Sequence, residues 1–461
     1  MKTTLVGLSC LIPLCAGWLI ATRVWLDSPR LFRLALAWII GSGIAGTAYF
    51  ATLSLSNSKT ISLVVGEGVL LVLIAILWMT KGTPRTFTVE TGRASRLDEK
   101  IAGIAFLVSA LLAMGAFVFI SDYSRQGGWD AIAIWNAKAR FITRSDAAPL
   151  DRIVDPKLAH ADYPLLLPAI VARAWQYGGV DSTTISEGIA GLFTFSTFII
   201  AFYAVKLLGG RASAYLMGCV LLSTPFFLVH GASQYADIVL ACYITATAAM
   251  FTLWDSGIRS PHLPVIAGLF AGFAASTKNE GMLLLVVTVV ARVFLMLVRK
   301  TLKDGVGEIL RFVAGALPGL VALALFKVWH SPPSEMAGQM KLSVWLTRMQ
   351  SHEYHSAIWT SFRNELHHFG SWWIWPIPLM LLYLIVSWIA KPNRRAMATW
   401  AMPGLMLLGM VAGYYMAYIV TPFDLQWHLN SSLSRLMLQV WPTALVFCFL
   451  VGASPKSLKE S

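Results

Sequence analysis

The chain has 461 residues, of which 57% are hydrophobic and 13% charged, and carries a formal net charge of +13. Soluble domains carry about 25% charged residues, and a single soluble core stops growing near roughly 250–300 residues, so this much apolar sequence requires lipid as solvent. That excludes a cytosolic enzyme, a disulfide-stapled secreted domain and a disordered tail protein.

Runs of about 20 apolar residues mark membrane helices. They fall near 4–22, 34–54, 61–79, 101–120, 185–207, 212–230, 235–254, 263–278, 281–298, 312–328, 372–390, 397–418 and 435–452. The expectation is an all-α polytopic membrane protein with about 13 transmembrane helices. The first run follows Lys2 and lacks a small-residue cleavage site, so it is read as a membrane helix rather than a signal peptide.

Basic residues set the orientation. Arg23, Arg30 and Arg33; Lys81, Arg85, Arg93, Arg96 and Lys100; Arg211; Arg259; Arg299, Lys300, Lys303 and Arg311; Lys391, Arg394 and Arg395; and Lys456 and Lys459 all fall in one set of loops, which is the cytoplasmic set. The opposite short segments hold Lys2, Lys59 and Lys278. The long connections 121–184 and 329–371 are then external. Within the first, Ala131–Arg144 carries Asn136, Arg140 and Arg144 on one stripe, and Tyr163–Tyr177 is apolar but shorter than a crossing. Both read as interfacial helices. The organisation expected is an N-terminal three-helix membrane extension over 1–100, a catalytic membrane domain over 101–452 and a short cytoplasmic tail over 453–461.

Cys10, Cys15, Cys219, Cys242 and Cys448 lie in apolar runs without a paired spacing and read as buried hydrophobes. No nucleotide-binding loop, dinucleotide fingerprint or zinc spacing occurs. The scattered basic residues argue against nucleic acid and for an anionic membrane face.

Ionisable groups near membrane depth are costly and mark function. On this topology Asp122, Arg125, Asp130, Asp162, Asp237, Lys278, Glu280, Asp424, His428 and Arg435 all come to the external boundary. Each has a plainer reading. Asp130 and Asp162 suit helix N-caps, Lys278 and Glu280 suit an exposed turn, Arg435 suits a snorkelling belt residue, and Trp372, Trp373 and Trp375 suit an aromatic belt. Glu67, inside the third span, calls for a partner on another helix.

The order of these features resembles the GT-C class of integral-membrane glycosyltransferases, which includes protein O-mannosyltransferases and aminoarabinose transferases of lipid A. The likeness spans about residues 101–450. It rests on Asp130 in the first external loop, Asp162-Tyr163-Pro164 before the second interfacial helix, Asp237 heading a later span, and the glycine-rich run Ala267–Thr277 ending in Lys278. The chain has Ala161-Asp162-Tyr163-Pro164 where that class commonly has His-Pro-Pro, and Ala131 where a second acidic residue often follows the first.

The resemblance implies inverting transfer of a sugar from a polyprenyl-phosphate donor to a cell-envelope acceptor, which is a glycolipid, polysaccharide or protein. It implies a bacterial inner-membrane protein with an external, periplasmic active site. By position, Asp130 corresponds to the catalytic carboxylate, Asp237 to an acidic donor-site residue, and Lys278 to the lysine ending the glycine-rich span. The chemistry itself asks for a carboxylate base and cations for a departing phosphate. Asp130 is therefore the expected base, with Asp162, Asp237, Lys278, Glu280, His428 and Arg435 expected around the donor phosphate and sugar. No cofactor is required, and a divalent metal on Asp237 or Asp162 is compatible with the residues. The alternative is a transporter or flippase for a lipid-linked or anionic substrate, which would spread its charges across the midplane.

Overall fold

The computed structural model describes residues 2–25, 27–80, 87–89, 97–145, 149–151, 153–155, 158–178, 181–258, 260–334, 342–372, 375–389, 394–452 and 458–460. The basic residues Lys81, Arg85, Arg93, Arg96, Arg259, Lys391 and Lys456, and Trp373 of the aromatic cluster, lie outside these. In chain order the helices are α1 (Lys2–Val24), α2 (Arg30–Ser56), α3 (Lys59–Met79), α4 (Leu97–Tyr123), α5 (Asn136–Arg144), α6 (Leu166–Gly178), α7 (Thr183–Gly209), α8 (Arg211–Leu222) and α9 (Pro225–Ala232). They continue as α10 (Ala236–Asp255), α11 (His262–Ala275), α12 (Glu280–Val298), α13 (Leu302–Trp329), α14 (Leu342–Gln350), α15 (His352–His368), α16 (Pro376–Ile389), α17 (Arg394–Ile419) and α18 (Leu425–Val451). A π-helical turn, Ala131–Trp135, leads into α5. The extended pairing among the described residues joins Phe87–Val89 to Leu458–Glu460, which brings the loop after α3 beside the C-terminal tail.

Among the described residues ten helices are long and apolar enough to cross a membrane, or up to twelve if each of two bent pairs counts as one span. Thirteen spans were expected, and a helix stands at each expected position. The difference lies in three of them. The 212–230 run is two helices, α8 and α9, bent by 62° at Ser223–Thr224. The 263–278 run forms the 14-residue α11, about 21 Å long against a hydrocarbon core of about 30 Å. The 372–390 run gives α16, which meets α15 at a 102° bend.

Close packing at α11 is written in small residues. A Cβ on Gly268 would stand 1.8 Å from the Phe312 carbonyl oxygen of α13, so only glycine permits this approach. The two backbones in contact carry the loop after α11 and the far end of α13 to the same side of the bundle.

The first long loop departs from the interfacial picture. Nearly every residue of α6 is buried, because α1, α2 and α5 pack around it. Arg173 of α6 pairs with Glu67 of α3 at 2.6 Å and donates to the Ser9 carbonyl of α1 at 2.7 Å. The helix reads as interfacial from its own length and prolines; the covering helices of the N-terminal segment make it internal. Likewise the polar stripe of α5 meets protein. Asn136 donates to Gln234 at 2.7 Å, and Arg140 and Arg144 both pair with Asp181.

The segment after α13 also enters the bundle. Phe369 and Trp441 of α18 meet edge to face at 5.0 Å, and Trp372 donates to the Ser223 carbonyl at the α8–α9 break. Trp441 donates to the Thr224 hydroxyl at 3.3 Å. A helix break frees backbone groups that need partners: Trp372 supplies one, and the Ser223 and Thr224 hydroxyls donate back to the Cys219 and Val220 carbonyls.

Candidate functional site

Five elements bring their charged residues to one point. Asp237 lies in the first turn of α10 and Glu280 in the first turn of α12, where helix dipoles favour carboxylates. Lys278 lies in the turn between α11 and α12, held by the α11 geometry, and Arg435 and Gln439 are one turn apart on α18. Asp130 opens the π-helical turn before α5.

Arg435 is the junction. Its Nε donates to Asp237 Oδ2 at 3.1 Å and its Nη2 to the same oxygen at 2.8 Å. It also donates to Asp130, with Nη1 at 3.5 Å from Oδ1 and Nη2 on Oδ2. Lys278 completes the set, at 2.8 Å from Asp237 Oδ1 and 3.0 Å from Glu280 Oε1. Gln439 donates to Asp237 at 2.6 Å and to Glu280 at 3.4 Å, and accepts from the Tyr414 hydroxyl at 2.9 Å. Asp237 is fully buried, while the Arg435 side chain keeps 25% of its surface. A carboxylate so placed is tolerable only with such pairing.

Asp130 does not cap its helix, because its side chain makes no capping hydrogen bond and turns to Arg435 instead. A backbone latch positions it. Gly127 takes φ of +78°, the region open to glycine without a Cβ penalty, and Gly128 N donates to the Ser233 carbonyl at 3.0 Å. Gln234, itself at φ +61°, donates to the Arg125 carbonyl at 3.1 Å. The loop before α5 is thereby tied to the turn that starts α10, so Asp130 and Asp237 face the same guanidinium.

Asp162 stands beside this network. Asn279 donates to its Oδ2 at 3.0 Å, and Lys327, at the far end of α13, donates to its backbone carbonyl at 2.6 Å. Tyr163 lies under Lys278, with the ammonium 5.7 Å from its ring, and His160 stacks on the same ring at 4.6 Å. Burial, and then the negative charge of Glu280 and Asp162, raise the Tyr163 pKa well above its ordinary value, so its hydroxyl remains a proton donor. His428 packs edge-on against Tyr418 at 4.9 Å. Asp162 Oδ1, Asn279 Oδ1, Glu280 Oε2 and His428 Nδ1 are buried and have no hydrogen-bond partner among the described residues.

All seven expected site residues thus fall in one region, with Asp130, Asp237, Lys278, Glu280 and Arg435 in one ion network. Three other charges expected on the same side stay apart. Asp122 and Arg125 pair with each other in exposed positions, and Asp424 caps α18 by accepting from Trp427 N at 2.8 Å. Gln439, Asn279 and Lys327 were not singled out from sequence. The spacing of Gln439 at i+4 from Arg435 was the available signal.

The residues fit a divalent metal poorly. Among the described residues no group of three or more His, Cys, Asp or Glu could hold one, and both oxygens of Asp237 are taken by Arg435, Lys278 and Gln439. What the site can do is receive an anion at Arg435 and hydroxyl donors at its unpartnered acceptors. Comparison with family models, curated proteins and solved structures finds no match to this chain.

Proposed function

We propose that the protein is an integral-membrane glycosyltransferase that moves a sugar from a polyprenyl-phosphate donor to a cell-envelope acceptor, with inversion, at the external face of a bacterial inner membrane. The observation that carries this reading is the convergence of Asp130, Asp237, Lys278, Glu280 and Arg435 from five separate elements at one end of the bundle. Substrate sites of transport paths lie near the midplane, at discontinuous helices; this network instead gathers at the first turns of α10 and α12.

Transfer needs an acceptor hydroxyl to attack the anomeric carbon as the bond to the phosphate oxygen breaks. The hydroxyl proton passes to a carboxylate, for which Asp130 is the candidate. Positive charge develops on the sugar ring and is eased by neighbouring carboxylates. The leaving lipid phosphate gains charge and is met by Arg435 and Lys278. Because Arg435 holds Asp130, a donor phosphate that draws the guanidinium toward itself also frees the base. Asp162, Asn279 and Glu280 keep unpartnered oxygens, which suit sugar hydroxyls.

The test uses the full-length protein in lipid nanodiscs with polyprenyl-phosphate sugars and an envelope-lipid extract. Asp130→Asn is expected to keep donor binding, read as thermal protection by polyprenyl phosphate, and to lose transfer by about 10²–10⁴-fold. Full transfer by this variant would overturn the role of Asp130, and absence of any protection of the wild-type protein by polyprenyl phosphates would overturn the donor class.

A further inference from the structure

A second charged cluster occupies the opposite end of the same helices. α10 runs from Ala236 to Asp255 and α12 from Glu280 to Val298, about 30 Å each, so the two clusters are separated by about the thickness of a bilayer core. Arg292 of α12 pairs with Asp255 at 2.7 Å and with Glu308 of α13 at 2.6 Å. Arg299 pairs with the other oxygen of Asp255 at 3.1 Å, and Trp254 donates to Glu308 at 2.8 Å. Arg292 is buried and packs over the Phe251 ring at 4.7 Å.

These residues wall a cleft of about 250 Å³, whose rim is completed by Thr301, Gly305 and Arg311. A water occupies about 30 Å³, so the space holds a group several times larger. Among the described residues its charges do not balance, since Arg292, Arg299 and Arg311 face two carboxylates. Both carboxylates are already engaged, whereas Arg311 makes no ion pair or hydrogen bond among the described residues. Among the described residues Arg292 Nε is buried without a hydrogen-bond partner, and Thr301, at the start of α13, forms no side-chain cap. The opening turn of α13 thus brings unspent N–H groups to the rim.

A plain orientation signal needs positive residues in a loop and neither a cavity nor carboxylates that fix an arginine inside a helix bundle. We propose that this cleft binds a phosphoryl anion, with the headgroup of an anionic membrane phospholipid as its occupant. Arg299 and Arg311 hold the phosphate from the rim, Arg292 forms the floor, and the acyl chains lie along the exposed apolar flanks of α12 and α13, where Leu297, Val298, Leu302 and Val306 face outward. Arginine suits this because its fork presents several donors to phosphate oxygens.

The test compares the full-length wild-type protein with Arg299→Gln/Arg311→Gln and with Lys300→Gln/Lys303→Gln, whose lysines do not line the cleft. Native mass spectrometry after detergent extraction, and thermal protection by short-chain phosphatidylglycerol, phosphatidylcholine or inorganic phosphate, give the readouts. The wild-type protein and the lysine variant are expected to retain phosphatidylglycerol in preference to phosphatidylcholine, and the arginine variant to bind it about tenfold or more weakly. Protection by phosphatidylglycerol alone assigns a lipid headgroup, and equal protection by inorganic phosphate assigns the site to phosphoryl anions generally; both uphold the shared chemistry. Equal loss in both variants, or retention unchanged in the arginine variant, overturns the proposal. Arg311→Gln alone, an exposed change, keeps the comparison available if the double variant does not fold.

Discussion

Arg435 and Asp130 are 305 positions apart in the chain and share an ion pair. Because the same guanidinium also holds Asp237, removing it leaves two carboxylates facing each other in a buried site. Arg435→Gln is expected to lower stability by about 3–5 kcal/mol, read as a fall in melting temperature in detergent. Arg435→Lys keeps the charge without the fork and is expected to recover part of the stability and little donor binding.

Asp237 and Asp130 separate by role. Asp237 is fully buried with Arg435, Lys278 and Gln439 around it, so Asp237→Asn is expected to destabilise the fold. Asp130 has one ionic partner among the described residues, and that partner, Arg435, keeps its pair with Asp237 when Asp130 is neutral, so Asp130→Asn is expected to melt close to wild type while losing activity. Parallel melting curves and transfer assays check the contrast, and equal melting losses in both variants would contradict it.

The buried pair Glu67–Arg173 offers a test of packing without catalysis. Glu67→Gln strands the Arg173 guanidinium and is expected to cost about 3–5 kcal/mol. Replacing both residues with leucine is expected to restore much of that loss, since the uncompensated charge is gone. A double-variant melting point no higher than that of Glu67→Gln alone would refute the account.

Gly268→Leu forces a side chain into the Phe312 carbonyl of the facing helix. The expected result is separation of α11 from α13 and a protein that fails to accumulate in the membrane. Gly268→Ala is expected to accumulate poorly as well, because the first carbon already collides. Membrane-fraction yield reports both.

Asp181 gives a pH dependence outside the spans. Burial raises its pKa, but its own backbone N–H and the partners Arg144 and Arg140 outweigh burial and lower it. A carboxylate depressed in the folded state adds stability that is present above the unfolded value, near roughly 3.9, and is lost as pH falls through the folded value. Asp181→Asn is therefore expected to melt lower than wild type at neutral pH, with the difference shrinking below about pH 4. A difference that does not change with pH would exclude the ion pair as its source.

The parts of this architecture legible in sequence are those where lipid punishes error. A carboxylate such as Asp237 next to an apolar run stands out because so few charges are present, and its partners on other spans could be gathered by membrane side alone. Gln439, Asn279 and Lys327 escaped because two carry no charge and the third, near the end of a span, passes for a boundary lysine. The burial of α6 was invisible for another reason. Its own sequence is that of a short surface helix, and what covers it comes from α1 and α2, whose packing has no local signature. The inward course of α15 was hidden by its polarity, since His352–His368 reads as an aqueous loop until Phe369 is seen against Trp441.

The break between α8 and α9 therefore constrains how the chain can be cut. Trp372 answers the carbonyl of Ser223, and Phe369 fills the space beside Phe226 and Trp441, so the corner from Phe369 to Trp372 is masonry in the wall of the bundle rather than a flap over it. Excising residues 352–372 would open a gap in helices more than a hundred positions earlier.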